Sequence, residues 1–171
     1  DFEDLVVFSQ TFGASTLARD GRAVLALGHA PAGALRLRGG DPVLEGRPGS
    51  DETATLRLPI ELAGNAAGVR AVHLVLRHDP RALELRGFEL SGVLARERDA
   101  MLRFLRRTGD GEWTLDLAVL GERGVIEGDG PLGALHFTVR GTGDEGLELV
   151  EASLRGVRGE SLAFTTEGLD L

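Results

Sequence analysis

The stretch VHLVLRHDPRALELRGFEL, residues 72–90, contains two apolar runs separated by His78, Asp79 and Pro80. In the first run every second side chain is apolar, which is the period of a β-strand with one buried face. Pro80 lacks a backbone donor and disfavours the helical region for Asp79, so the first strand has to end there. The stretch therefore predicts two consecutive strands joined by a tight turn.

The alternation divides the first strand into two rows of side chains. The row predicted to face the core comprises Val72, Leu74, Leu76 and His78. The row predicted to face outward comprises Ala71, His73, Val75 and Arg77. We expect His78 to be a packed, hydrogen-bonded residue at the end of the strand, and the side chain of Asp79 to cap the turn.

The adjacent His78 and Asp79 could also be two members of a hydrolase triad. Such a triad would need a positioned nucleophile, and no Gly-x-Ser-x-Gly elbow occurs in the sequence.

Alternating runs continue through most of the remaining chain. They are GALRLRGG (33–40), TATLRLPIELAG (53–64), MLRFLRR (101–107), EWTLDLAVLG (112–121), LGALHFTVRG (132–141), GLELVEASLRGV (146–157) and ESLAFTTEGLDL (160–171). Short strands at this spacing are typical of an all-β sandwich, here of about nine strands. Gly-Asp-Gly occurs at 109–111 and 128–130, and we interpret both as turns, with calcium ligation as the alternative.

The first 34 residues have a different pattern. Phe2, Leu5, Val6 and Phe8 recur at helical spacing behind acidic residues, and Gly13 lies where a helix would end. We predict a short amphipathic helix over residues 2–12. Residues 14–34 are predicted to be a linker, in which GRAVLALGHA (21–30) could hold a short strand. SGVLARERDA (91–100) is predicted to be a charged loop, with a short helix as the alternative.

Composition narrows the function classes. The chain has 27 acidic and 19 basic residues, a net charge of −8, and every basic residue is arginine. An acidic chain without a basic cluster is not typical of nucleic-acid binding. Cysteine is absent, which excludes disulfides, thiolate zinc sites and cysteine nucleophiles. No apolar run approaches the roughly 18 residues of a membrane span.

The histidines and the single tryptophan offer few binding motifs. His73 and His136 both alternate outward, and we expect them on neighbouring strands, but neither belongs to an HxH or HExxH metal motif. Trp113 is the sole tryptophan and tyrosine is absent, so a planar aromatic platform for sugar rings is not predicted. We therefore predict neither a resident metal nor another cofactor in this part of the chain.

The order of these segments resembles the cohesin family, the secreted β-sandwich modules that receive dockerin domains in bacterial multi-enzyme assemblies. Four segments carry the resemblance in the family's order. They are EGRPGSDETATLRLPIELAGN (45–65), GVRAVHLVLRHDPRALELRGFEL (68–90), GVIEGDGPLGALHFTVRG (124–141) and VEASLRGVRGESLAF (150–164). The resemblance covers about residues 35–165 and implies a cohesin-like domain over residues 35–171 with jelly-roll topology.

The resemblance also implies a function. Family members are non-catalytic recognition and scaffolding modules, and one sheet face receives helices of the partner. Carried over to this chain, that surface includes Ala71, His73, Val75 and Arg77, and the partner is a dockerin-like or other helical protein module. The expected location is extracellular or at the bacterial cell surface. The alternatives are a carbohydrate-binding module that binds polysaccharide, or a structural spacer of a surface protein.

Residues 1–13 resemble a different family, the second half of a dockerin repeat, in which a calcium loop leads into a helix. Asp1 and Asp4 would match the ninth and twelfth positions of that loop. The ligands of the earlier positions are not in this chain, so calcium binds here only if an upstream loop is present. An ordinary capped helix is the alternative interpretation.

Overall fold

The computed structural model describes residues 35–46, 54–64, 66, 68–90, 101–121, 124–126, 128–140 and 146–169. The predicted helix at 2–12, the predicted linker at 14–34 and the predicted loop at 91–100 lie outside the described residues, as do Asp1 and Asp4. Within the described residues, no helix is long and apolar enough to cross a membrane.

Ten strands form in the described part of the chain. They are β1 (Arg36–Gly39), β2 (Val43–Glu45), β3 (Thr55–Ala63), β4 (Val69–His78), β5 (Leu83–Leu90), β6 (Met101–Arg107), β7 (Glu112–Val119), β8 (Gly130–Val139), β9 (Leu147–Gly156) and β10 (Thr165–Glu167). The sequence pattern missed β2, because its three residues are all exposed and therefore show no alternation. It pairs with β3 beyond the end of β1, on the same edge.

The strands make two sheets. One has six strands, in the order β10-β1-β3-β8-β5 with β2 also paired to β3, and the other has four, in the order β6-β7-β4-β9. Between β3 and β10 the chain crosses from sheet to sheet at every connection except the β6–β7 hairpin. Such alternation is the connectivity of a jelly-roll sandwich. The all-β sandwich predicted from the sequence is confirmed.

The core lies between the two sheets and consists largely of Leu, Val, Ile and Ala with two phenylalanines, Phe88 and Phe137. The inward row of β4 has the predicted phase: Val72, Leu74 and Leu76 are fully buried and His78 is 6% exposed. β4 is an inner strand of its sheet, flanked by β7 and β9, and this row belongs to the core cluster between the sheets except for His78.

His78 is packed as predicted, but it is not hydrogen-bonded. Its ring meets Phe137 edge to face, with centroids 5.7 Å apart, and neither ring nitrogen has a hydrogen-bond partner among the described residues. The expectation of a hydrogen-bonded histidine is therefore wrong, because the ring points into an apolar layer. Asp79 does cap the turn: its Oδ1 accepts the N–H of Arg81 at 2.8 Å.

The Gly-Asp-Gly segment at 109–111 forms the β6–β7 turn, and the one at 128–130 bends the chain, with φ +87° at Gly128, as it enters β8. In the β6–β7 hairpin Gly111 has φ +68°, and its carbonyl accepts the N–H of His78 at 2.9 Å. In the other segment the carboxylate of Asp129 accepts N–H groups of Gly64 at 2.9 Å and Ala66 at 3.4 Å. Among the described residues, no group of three or more His, Asp or Glu side chains is arranged to hold a metal ion.

Candidate recognition surface

The two sheets present different outer faces. The six-stranded sheet carries a series of ion pairs on its outer side: Arg36–Glu167, Arg38–Glu61, Arg86–Glu84, Arg140–Glu84 and His136–Glu89. Exposed pairs of this kind are already satisfied by one another and by water. This face is therefore mainly charged, although Val43 on β2 is 44% exposed beside Arg57, which has no ion-pair partner among the described residues.

The outer face of the four-stranded sheet, called here the four-stranded face, is built from rows that run across the strands. Read from β6 through β7 and β4 to β9, the rows are Leu102–Ala118–Ala71–Arg155, Phe104–Asp116–His73–Ser153 and Arg106–Thr114–Val75–Glu151; a fourth, Glu112–Arg77–Glu148, has no β6 member. Strand spacing and rise give a surface about 14 Å across and about 20 Å long. A single helix, roughly 10–12 Å wide with its side chains, fits on it.

A histidine–aspartate pair occupies the centre of the four-stranded face. His73 on β4 and Asp116 on β7 are register partners, and Nδ1 lies 2.6 Å from Oδ1. Their side chains are only 18% and 17% exposed, respectively, so neighbouring side chains already exclude much of the water around them. The pair gives the middle of the face a fixed polar group.

Small side chains form the floor around this pair. Ala71, Thr114 and Ala118 are each 5% exposed, and the two alanines lie outside the core cluster. Ala71 therefore lies on the predicted outward row but offers little surface of its own. Because the floor is low, a partner's side chains can approach the sheet closely.

Apolar side chains stand above this floor. Phe104 on β6 is 47% exposed and Val150 on β9 is 39% exposed. Val150 reaches the surface at a bulge, where Val75 pairs with Glu151 and the next residue of β4 pairs with Leu149. A bulge redirects side chains and is common at functional surfaces. Exposed large apolar groups beside a polar centre are typical of protein-binding surfaces.

Charged residues border the apolar groups on both sides. Arg77 lies between Glu112 at 3.2 Å and Glu148 at 3.5 Å. Arg106 on β6 and Glu151 on β9 are exposed and take part in no ion pair among the described residues. These two opposite charges lie in the same row, at opposite edges of the face.

Arg70 anchors one end of this sheet. It is the extra residue at a second bulge, and its guanidinium donates to the carbonyls of Val119, Gly121 and Val157. The three carbonyls belong to the end of β7, the loop after it and the turn after β9. Arg70 therefore holds three segments together beside the row of Ala71.

The structure brings together some predicted residues and separates others. Ala71, His73, Val75 and Arg77 do share one face, as their phase predicted. His73 and His136 do not lie on neighbouring strands: they point outward from different sheets, so they cannot bind one metal ion, and the expectation was wrong. Trp113 packs against the core and is not available as a stacking platform.

Sequence reasoning missed two residues of the surface, Phe104 and Asp116. Both belong to predicted strands, and the Asp-Gly turn at 110–111 predicts that those strands pair as a hairpin. Counting back from a two-residue turn, however, would have placed Phe104 opposite Leu117, because the observed loop has three residues, 109–111, and shifts the register by one. Nothing in the sequence, however, indicates which strand lies on the other side of β7.

Solved structures with the same architecture are cohesins. A type I cohesin–dockerin complex from Clostridium thermocellum matches at TM-score 0.61 and 10% identity, over 78% of this chain and 94% of the matched chain. The second type II cohesin module of the adaptor ScaA scaffoldin of Acetivibrio cellulolyticus matches at TM-score 0.60 and 11% identity, over 79% and 94%. A non-cellulosomal cohesin from the hyperthermophilic archaeon Archaeoglobus fulgidus matches at TM-score 0.56 and 19% identity, over 78% and 86%.

The chain therefore has a cohesin-like fold, as its sequence resemblance predicted. The sequence matches no protein-family model and no curated protein. At identities of 10–19% the likeness lies in the fold, and the surface residues have to be judged on their own chemistry.

Proposed function

We propose that this chain is a non-catalytic recognition and scaffolding module that binds a helical protein partner, such as a dockerin-like module, through the four-stranded face. The observation that carries the proposal is the contrast between the two outer faces. The outer side of the six-stranded sheet carries mostly ion pairs, with exposed apolar residues confined to the short edge strand β2, whereas the four-stranded face sets Phe104 and Val150 around a largely buried polar pair. The cohesin-like fold supports the proposal, since solved neighbours include cohesin–dockerin complexes.

The residues of the face have distinct roles in this proposal. Phe104 supplies an exposed aromatic side chain, a residue class that is enriched at protein interfaces. His73 and Asp116 supply polar groups whose mutual bond becomes stronger once a partner excludes water. Arg77 stays oriented by its two glutamates, so it meets the partner without a large loss of side-chain entropy.

The expected setting is the exterior or surface of a bacterial cell, where modules of this kind assemble enzymes or attach them. The absence of cysteine is compatible with that setting, since a secreted domain of this size has a core large enough to fold without disulfides. Polysaccharide binding and a passive spacer role remain alternatives. No feature of the face favours the first, because Trp113 packs against the core and Phe104 is the exposed aromatic there.

The experiment is a binding titration of purified dockerin modules against the full chain, with face variants as probes. We expect at least one module to bind, Phe104→Ser to lower its affinity more than about tenfold, and stability to be unchanged. The matched control is Leu44→Ser: Leu44 is also 47% exposed but lies on the other sheet. If no dockerin binds, or if both variants weaken binding equally, the proposed use of the face is wrong.

A further inference from the structure

We infer that the four-stranded face has an occupant within its own chain, the N-terminal segment of residues 1–13. This inference rests on the proposed function of that face and names a ligand for it. Docked there, the segment would compete with an external partner for the same surface. The supporting observations are the shape of the face, the position of the unpaired Arg106 on its β6 edge, away from Glu151 on the β9 edge, and the sequence of the segment.

The basic edge of the face has a direction. Along β6 the outward residues are Arg106, Phe104 and Leu102, so an exposed cation is followed by two apolar groups. Successive outward residues are about 6.8 Å apart, and the three span about 14 Å. No acidic side chain occurs on β6, and Arg106 has no ion-pair partner among the described residues. A ligand that is acidic at one end and apolar beyond it would match this edge.

The N-terminal segment has that order of charges. Its sequence, DFEDLVVFSQTFG, has acids at Asp1, Glu3 and Asp4, no basic residue, and an apolar run at residues 5–8 followed by Phe12. As a helix, residues 2–12 would be about 16 Å long, close to the length of the face. We place the acidic end over Arg106 and the phenylalanines over Phe104 and Leu102, so that the segment runs antiparallel to β6.

The connection to the sandwich is long enough. Residues 14–34 join the segment to Leu35, and a chain of this length reaches up to about 70 Å. The two sheets are packed about 10 Å apart and their longest strands have ten residues, about 33 Å. The face is therefore within reach from the start of β1. A tether of this kind gives an effective concentration of about millimolar, which favours docking within one chain over exchange between chains.

The test is hydrogen exchange of the backbone amides of residues 2–12 in the full chain. We expect these amides to be protected, and Phe104→Ser and Arg106→Glu each to speed their exchange roughly tenfold. Adding Asp4→Arg to Arg106→Glu restores an opposite-charge pair, so protection should return. Leu44→Ser and Arg57→Glu, on the other sheet, should leave exchange unchanged.

Three outcomes would overturn the inference. The first is exchange at the same rate in the parent chain, Phe104→Ser and Arg106→Glu. The second is a failure of Asp4→Arg to restore protection in the Arg106→Glu chain. The third is protection that decreases when the protein is diluted roughly a hundredfold, because the occupant would then come from another copy.

The inference and the proposed function can fail separately. If the segment does not dock but the proposed function holds, the exchange rates of residues 2–12 are the same in all variants, while Phe104→Ser still lowers the affinity for the dockerin more than about tenfold. If the segment docks but no dockerin binds, the amides of residues 2–12 remain protected and the dockerin titration shows no binding. If both hold, Phe8→Ser in the segment should tighten dockerin binding, because the competing occupant is weakened.

Discussion

His73 and Asp116 lie 43 residues apart in the sequence, and their Nδ1 and Oδ1 atoms are 2.6 Å apart at the centre of the four-stranded face. The pair links the two inner strands of the sheet, β4 and β7. A proton on Nδ1 makes the imidazole the donor and the carboxylate the acceptor. With side chains less than a fifth exposed, the pair is already partly shielded in the free protein.

We expect Asp116→Ala to lower the free energy of unfolding by no more than about 1 kcal/mol, because water still reaches the pair. Its effect on partner affinity should be larger, about 1–3 kcal/mol, because a bound partner excludes the water that compensates for the lost carboxylate in the free protein. Denaturant titration and calorimetric binding measure the two quantities. The control is Glu89→Ala, which removes the acid 3.3 Å from His136 on the opposite face. Equal losses of affinity in both variants would contradict the assignment of the face.

His78 offers a test of the strand phase. His78→Ala should lower the free energy of unfolding by about 2–4 kcal/mol, because it leaves a cavity beside Phe137. His78→Phe should raise it by about 1–2 kcal/mol, because two unpaired ring nitrogens are replaced by carbon. Chemical denaturation of the parent chain and both variants measures these changes in the free energy of unfolding. An unchanged midpoint for His78→Ala would mean that this row of β4 does not face the core.

Gly111 is required by the backbone at the β6–β7 turn. A Cβ there would lie 2.1 Å from the carbonyl oxygen of His78, and φ is +68°. Gly111→Ala should therefore cost about 1–3 kcal/mol of stability, measured by thermal or chemical unfolding. Gly87→Ala is the matched control, since an added Cβ meets nothing within 4 Å. A loss in the control equal to that in Gly111→Ala would contradict this explanation.

Mutation of Asp129 can distinguish the two interpretations of residues 128–130, a turn and a calcium site. Asp129→Ala should cost about 1 kcal/mol, because Gly64 and Ala66 lose the carboxylate that accepts their N–H groups. Adding calcium should leave the melting temperature of the parent chain unchanged. A rise with calcium that disappears in Asp129→Ala would show that the carboxylate binds the ion, and the turn interpretation would then be wrong.

Arg70 should stabilise the end of the sheet. Arg70→Met keeps much of the side-chain length but removes the donors to three carbonyls, so we expect a loss of about 1–2 kcal/mol. Hydrogen exchange near Val119 and Val157 should increase at the same time. In Arg57→Met, where no described hydrogen bond or ion pair is lost, both quantities should stay the same. Unchanged exchange in Arg70→Met would contradict the anchoring role.

Much of the fold was readable from local patterns. The alternation in residues 72–78 specified which side chains of β4 are buried, and Pro80 with Asp79 specified where that strand ends. The Asp-Gly turn at 110–111 predicted the β6–β7 hairpin. These features depend on contacts between residues close in sequence, so a period and a turn residue are enough to predict them. The three-residue β2 was missed because it is a strand only through its pairing with β3.

The sequence by itself determined the fold class and the outward row Ala71, His73, Val75 and Arg77. The tertiary structure alone decided what that row is next to. It placed Asp116 beside His73, put His136 on the opposite sheet, and surrounded the ring of His78 with apolar groups that offer no hydrogen bond. The physical reason is that the period of a strand is a local property of the chain. The choice of its neighbours depends on how all the strands share one core, and no short segment contains that information.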